Sequence, residues 1–257
     1  MRLTFLGTGT SFGIPVLGCS CAVCASDDPR DRRTRSGALL DLPDGRLVVD
    51  TPPELRIKLL RERVTTLDGV WITHTHADHL HGIDDLRAFS AKRPLTMWVP
   101  DLHRAELCAR FPYIFDPSVA IQPGTTKPEL DVRPFRALEP IRVLGAELVP
   151  LPVPHGVTTV FGFRAGPLGY VTDGKSLPPE TLAALRGVRT LVLNALWWGD
   201  PHPTHFNIEE AQDAARAVGA ERTFLVHMTH RIRHAELERA LPPEIRPAYD
   251  GLAIDVD

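Results

Sequence analysis

The chain reads as an α+β protein, with two β-sheets and helices packed on their outer sides. Three observations predict that arrangement. Ten short runs, most of them rich in β-branched or aromatic residues, recur along the chain and end at Gly, Pro or Asp. Segments with helical spacing separate these runs, so strands and helices interleave in both halves. A length of 257 residues, with 43 % hydrophobic and 24 % charged content, suffices for one large domain with a proper core.

The first set of strands is expected at Leu3–Leu6, Ala38–Leu42, Arg46–Asp50, Val70–Thr73 and Thr96–Val99. A helix over Pro53–Arg63 has Pro at an early position and Leu55, Leu59 and Leu60 on its apolar face. Cys108 stands alone in an apparent helix and reads as a small core residue. The Pro-rich stretch 111–142 looks irregular, and is expected to form a lid or shielding loop. The second set of strands is expected at Glu147–Val153, Val160–Ala165, Tyr170–Thr172, Thr190–Asn194 and Thr223–Val226. Asn207 and Glu210 form a capping box opening a helix to Val218, with Gly219 as its stop. Pro178–Leu185 and Ala235–Leu241 are two further helices. No internal repeat or low-complexity tract breaks the chain, so 1–257 is expected as a single domain.

A net charge of −3 argues against a nucleic-acid partner and against an anionic membrane surface. No apolar run is long enough to span a bilayer. The N-terminus, MRLTFLGTGTSFG, lacks the apolar core and cleavage site of a signal peptide, so the expected location is cytoplasmic.

Function is most legible between Thr73 and Gly82, directly after the buried run Gly69–Ile72. His74 and His76 stand at i and i+2, so on a strand end they project to one side. Asp78 and His79 begin a helix that turns the chain back over the same point. One segment thus offers two imidazoles to one ion, and a carboxylate with an imidazole to a second. His155, Asp173 and His227 each follow a later apolar run, where a strand emerges from the core. A solvated His-rich loop is the bland alternative, but it accounts for none of these later positions.

Cys19, Cys21 and Cys24 supply three thiolates within one loop at about 18–25. In a cytosolic chain such clustering points to metal before disulfide. A closed tetrahedral zinc needs a fourth ligand, and His230, three residues beyond His227, is the candidate. Free thiols or a mixed disulfide are the alternative.

The H-x-H-x-D-H run, with Asp50 upstream and His155, Asp173 and His227 downstream, resembles the metallo-β-lactamase superfamily over nearly the whole chain. The resemblance implies a four-layer αββα sandwich with two divalent ions, Mn or Zn, at one edge of the sheets. It assigns His74, His76 and His155 to the first ion, Asp78, His79 and His227 to the second, and Asp173 to both. It counts Asp78 and Asp50 among the residues that carry the chemistry. Asp50 then orients a ligand histidine; a helix N-cap before Pro53 is its other reading.

Gly7-Thr-Gly9, Gly13-Ile-Pro15, the cysteine loop, Ser36-Gly37, His205-Phe-Asn207 and His227-Met-Thr-His230 are similar to the PhnP type of phosphoribosyl cyclic phosphate phosphodiesterase. That resemblance implies a small phosphate ester as substrate, one structural zinc on Cys19, Cys21, Cys24 and His230, and a homodimer. It places His205 near the substrate as general acid, with His202 as rival. Thr51-Pro-Pro-Glu54 and the extra His81 depart from the family pattern, which puts the exact substrate in doubt. Arg30, Arg32, Arg33 and Arg35 form a basic run, and bidentate arginine reads terminal phosphate. Arg33 and Arg35 are therefore substrate-binding candidates, against the default of a solvated face. Trp197 and Trp198 are expected in packing before nucleobase stacking.

Three other readings stand beside this one. His205, Glu209, Glu210 and His227 are also similar to tRNase Z, but the chain shows no basic, Gly-rich arm for tRNA. A thioesterase or lactonase could share the metal core. A PqqB-like, non-catalytic metal-binding protein is the non-enzyme alternative.

Overall fold

The apolar runs pair into two seven-stranded sheets. Strands β1 (Arg2–Gly7), β2 (Gly37–Leu42), β3 (Gly45–Val49), β4 (Gly69–Trp71), β5 (Leu95–Pro100) and β6 (Leu130–Phe135) follow one another across the first. The second holds β7 (Ile141–Val143), β8 (Ala146–His155), β9 (Thr158–Ala165), β10 (Leu168–Tyr170), β11 (Thr190–Asn194), β12 (Arg222–Val226) and β13 (Ile245–Pro247). The last strand, β14 (Ala253–Asp255), returns to the first sheet beside β1. The structure, a computed structural model, describes residues 1–120 and 122–257; Ile121, within the stretch expected as a lid, lies outside them.

Each sheet begins antiparallel and continues parallel. In the first, β3, β4, β5 and β6 run parallel. In the second, β10, β11, β12 and β13 do the same. Alternation then builds the layers. Leu47 and Val49 of β3 face the middle while Val48 faces out; on β12, Phe224 and Val226 face the middle and Leu225 faces out. The middle core joins both sheets through Trp71, whose ring stacks on Phe135 at 4.2 Å and whose Nε1 donates to the Phe161 carbonyl at 3.2 Å.

Helices cover both outer faces. On the first sheet lie α1 (Leu55–Arg61), α2 (Ala77–Leu80), α3 (Arg87–Ser90), α4 (Asp101–Arg110) and α5 (Pro112–Phe115), docked through Leu55, Leu59, Leu80, Leu107 and Ile114. On the second lie α6 (Pro179–Ala184), α7 (Ile208–Val218) and α8 (His234–Ala240), docked through Ile208, Ala211, Ala215 and Leu237. The result is the four-layer αββα sandwich. The capping box of α7 forms as expected: Glu210 N–H donates to the Asn207 side chain at 2.8 Å, Asn207 N–H donates to the Glu210 carboxylate at 3.0 Å, and Gly219 ends the helix at φ 73°.

All ten expected strands are present, with ends shifted by at most two residues. The four that sequence patterning missed, β6, β7, β13 and β14, are the four sheet edges. Edges are short and half polar and tolerate proline, as at Pro134 and Pro247, so they lack the apolar signature of central strands. Two of them correct the reading of 111–142, which is not wholly irregular: β6 and the start of β7 come from it. Cys108 is also corrected. It is half-buried on α4, whose inner face is made by His103 and Leu107.

One buried charge sits in α1. Lys58 is wholly buried, and its Nζ donates to the Arg35 carbonyl against Gly7, where any side chain would collide with it. Burial pushes its pKa down to about 8, against the pull of Asp250 and Glu54. The folded state therefore gives up this proton before the unfolded state does. Stability contributed at Lys58 rises between pH 8 and the unfolded value of about 10.4. The unfolding free energy of wild type minus that of Lys58→Met should grow by about 3 kcal/mol from pH 7.5 to 10.5. A flat difference across denaturant titrations at these pH values would show that Lys58 keeps its proton.

Candidate metal centre

The ligand residues gather because strand directions bring their ends together. Strands β3 and β4 run parallel, as do β10, β11 and β12, and β8 points the same way as β10 because each is antiparallel to β9. Asp50 follows β3, His74 and His76 follow β4, His155 ends β8, Asp173 follows β10 and His227 follows β12. All lie at one edge of the sandwich. Asp50, Asp173 and His227 adopt left-handed backbone at φ 63°, 56° and 57°. Non-glycine residues held there cost about 1–3 kcal/mol each, a strain that concentrates at functional sites.

Side-chain chemistry fixes the imidazoles in one tautomer. The His79 Nδ1–H donates to Asp50 at 2.7 Å, and Asp50 also accepts from the Thr73 N–H and hydroxyl, each at 2.8 Å. Because the Thr73 hydroxyl donates there, its oxygen is free to accept from His74 Nδ1 at 2.9 Å. His155 Nδ1 lies 3.1 Å from the Thr204 carbonyl. His227 Nδ1 lies 3.0 Å from Ser36 Oγ, which donates in turn to the Gly9 carbonyl. His74, His79 and His155 thus spend Nδ1–H on the protein and keep a lone pair on Nε2, the form that ligates metal. Asp50 therefore meets a histidine of the cluster, and the N-cap position before α1 is held by Glu54 instead.

Those lone pairs converge. Ligand atoms of His74, His76 and His155 lie within 4.8 Å of one another, as do those of His74, His79 and Asp173, and of Asp78, Asp173 and His227. Asp173 joins the groups: its carboxylate is 3.3 Å from His79 Nε2 and 3.4 Å from His227 Nδ1. The residues fit divalent cations. His74 Nε2 and His79 Nε2 are buried without a hydrogen-bond partner, a costly state that a cation relieves. Burial disfavours a charged His79, yet Asp173, Asp78 and Asp50 hold its pKa well above the usual value, which marks a pocket short of positive charge. Burial drives His74 well below the usual range and His227 down to about 4, so both stay neutral, as ligands must.

His205 joins the same edge. Its Nε2 is 3.3 Å from Asp173, and its ring stacks on His227 at 4.8 Å. Nδ1 lies 2.8 Å from Thr204 Oγ1, and the rival His202 is adjacent at 3.3 Å. The exposed His81 packs edge-on against Phe111 and stays outside the cluster.

The cysteine loop forms a second centre. Sγ of Cys19, Cys21 and Cys24 lie 3.3, 3.4 and 3.5 Å from His230 Nδ1. One ring nitrogen cannot hydrogen-bond three thiols at once, whereas four donors at these separations fit a tetrahedral metal ion. Donation from the Cys24 N–H draws the Cys21 thiol down to about 6, and burial pushes Cys24 up to about 11.

The basic run requires a correction. Arg33 is fully buried: its guanidinium donates to the Thr229 carbonyl at 2.7 Å, and to Asp31 and the Ile232 carbonyl, each at 3.2 Å. It clamps the N-terminal loop to the segment after β12 and cannot reach substrate. Arg35 donates to Glu54 at 2.6 Å and the Ser11 carbonyl at 2.7 Å, so its guanidinium is committed as well. Sequence reasoning gave no role to Ser36 or Thr204, although both orient ligand histidines.

A family model for the β-lactamase superfamily domain matches residues 43–228. A diphosphatase from the PhnP family, known from its crystal structure, is 34 % identical, with 100 % of this chain and 98 % of that chain covered and a TM-score of 0.89. Zinc-bound PqqB from Methylobacterium extorquens superposes with a TM-score of 0.79 over 100 % of both chains, at 18 % identity, a likeness of fold alone. The octanoyltransferase of Porphyromonas gingivalis is 34 % identical across 100 % of this chain, which spans about half (52 %) of that protein. No helix among the described residues is long and apolar enough to cross a membrane. The chain belongs to the β-lactamase superfamily, as a metallo-β-lactamase-fold protein close to PhnP.

Proposed function

We propose that this metal-dependent hydrolase is a dinuclear phosphodiesterase acting on a small cyclic phosphate ester, of the 5-phosphoribosyl 1,2-cyclic phosphate or 2′,3′-cyclic nucleotide type. The observation that carries the reading is His205, whose Nε2 stands 3.3 Å from the carboxylate at the junction of the ligand groups. Two divalent ions, manganese or zinc, supply a nucleophile at neutral pH and neutralise charge on phosphoryl oxygens when bound. The protein's own residues do the remainder. Asp50, Thr73, Thr204 and Ser36 lock the ligand rings. His205 holds a proton at Nε2 and delivers it to the leaving oxygen as the ring opens. Its Nδ1 contact with Thr204 keeps the imidazole from swinging away.

The likeness to a PhnP-family diphosphatase supports phosphorus as the atom attacked. It also favours a second reading, cleavage of a diphosphate. One panel tests both: cyclic ribose phosphates, 2′,3′- and 3′,5′-cyclic nucleotides, linear diesters and diphosphates, run with measured metal content. We expect turnover of bis-p-nitrophenyl phosphate with manganese added, and the best kcat/KM on a small cyclic phosphate. His205→Ala should lower kcat by roughly 10²-fold or more with both metals retained; a near-normal rate removes His205 from the mechanism. Preference for a tRNA precursor, a thioester or a lactone would overturn the assignment.

A further inference from the structure

We infer that Arg231, laid on the face of Trp197, reads a second anionic group of the substrate, a terminal phosphate remote from the ester that is cleaved. The inference rests on the phosphodiesterase reading above and names the class of substrate within it.

Three of the four arginines in the basic run are occupied, among them both substrate-binding candidates. Arg33 is buried, Arg35 is held by Glu54, and Arg30 pairs with Asp28 and Glu238. Arg231 differs. It is exposed, and its guanidinium carbon lies 4.0 Å from the centroid of the Trp197 ring. Among the described residues, no carboxylate or carbonyl lies within hydrogen-bond distance of that guanidinium. Stacking on an indole uses the guanidinium face and leaves its N–H edge directed sideways, ready for bidentate recognition.

Position connects this pair to the metal centre. The Trp197 ring is 5.4 Å from His202, the His202 ring is 5.1 Å from His205, and His205 reaches Asp173. Arg231 therefore stands at the outer end of a row of rings that starts at the ligand carboxylate. Trp197 is held in advance. Trp197 Nε1 donates to the Asp200 carbonyl at 2.9 Å, Gly199 N–H donates to Glu209 at 3.1 Å, and Asn207 Nδ2 donates to the Gly199 carbonyl at 2.6 Å. Arg231 directly follows His230 of the cysteine site. Such preorganisation lowers the cost of ordering on binding.

The local field also suits an anion. Burial lowers the His202 pKa, and His205, Lys175 and Arg231 each lower it further, so three basic side chains surround one imidazole on a protein of net charge −3. Arg231 covers one face of Trp197, which a nucleobase would otherwise use. A phosphorylated sugar cyclic phosphate therefore gains a contact here that a cyclic nucleoside phosphate without a terminal phosphate does not.

The test compares ribose 1,5-bisphosphate with ribose 1-phosphate by calorimetry on the metal-loaded protein. Wild type should bind the bisphosphate about 10- to 100-fold more tightly, the range for a hydrogen bond to a charged group. Arg231→Ala should collapse that ratio towards one, Arg231→Lys should leave an intermediate ratio, and Trp197→Leu should reduce it by loosening the arginine. Zinc content of each variant confirms that the cysteine site is intact. No preference in wild type, or the same preference in Arg231→Ala, overturns the inference. Failure of the phosphodiesterase reading would appear instead in the substrate panel and leaves these binding ratios readable.

Discussion

Replacing Asp173 with alanine is expected to lower hydrolytic kcat/KM by about 10³-fold or more, because it removes the carboxylate at which the candidate ligand groups meet. His79, His205 and His227 all approach that carboxylate, at 3.3, 3.3 and 3.4 Å. Burial opposes its ionisation, yet the charge of neighbouring histidines, His79 above all, holds its pKa well below the usual carboxylate range, so it is anionic at neutral pH. Without it, the pocket keeps its imidazoles but loses the negative charge that balances a second cation. Metal content should fall by about one ion per chain under conditions that saturate wild type. Asp173→Asn keeps the shape and one acceptor, and should rescue folding better than activity. Elemental analysis beside steady-state kinetics decides the matter. A variant that keeps both ions and a rate within about tenfold of wild type would place the junction on another residue.

The residues that gather in the candidate metal centre were legible in the sequence because their chemistry is concentrated. Four histidines within eight residues of a buried strand leave few other readings, and His155, Asp173 and His227 each mark a strand end. Residues that orient those ligands were not legible. Ser36 meets His227 across 191 positions and Thr204 meets His155 across 49, and no spacing rule connects hydroxyls or carbonyls over such separations. The left-handed backbone at Asp50, Asp173 and His227 is equally silent, since these residue types occur in every conformation. Arg33 misled for another reason. A run of arginines resembles a solvated face or a phosphate site, but two carbonyls and Asp31 hold the two terminal nitrogens of this guanidinium inside the protein. Central strands show themselves by apolar runs buried on two faces, whereas the four edges carry too little apolar surface to stand out.

Disruption of the site formed by three cysteines and His230 should show as lost stability before it shows as lost chemistry. Ile14, Val23 and Cys24 form a small cluster of their own, apart from the three larger cores, so the loop has little apolar burial to hold it. Its ties to the body include the Ile14–Arg33 bridge, the Arg233 side chain donating to the Ala22 carbonyl at 3.3 Å, and the convergence of three thiols on His230. His230 lies three residues beyond His227, on a segment that Arg33 also clamps through the Thr229 and Ile232 carbonyls. Freeing the loop therefore loosens the ground beneath a ligand histidine. Cys24→Ser should lose one zinc per chain and roughly 3 kcal/mol of stability, which for a domain of this size lowers Tm by about 6–12 °C. Because His227 is also held by Ser36, the ligand cage should still load manganese, and activity at low temperature should fall far less than in Asp173→Ala. The two centres are thus separable by temperature: the cysteine variant loses activity steeply on warming, while the carboxylate variant is inactive throughout. A Cys24→Ser protein with unchanged zinc content and unchanged Tm would mean that the three thiols and His230 meet for some reason other than metal.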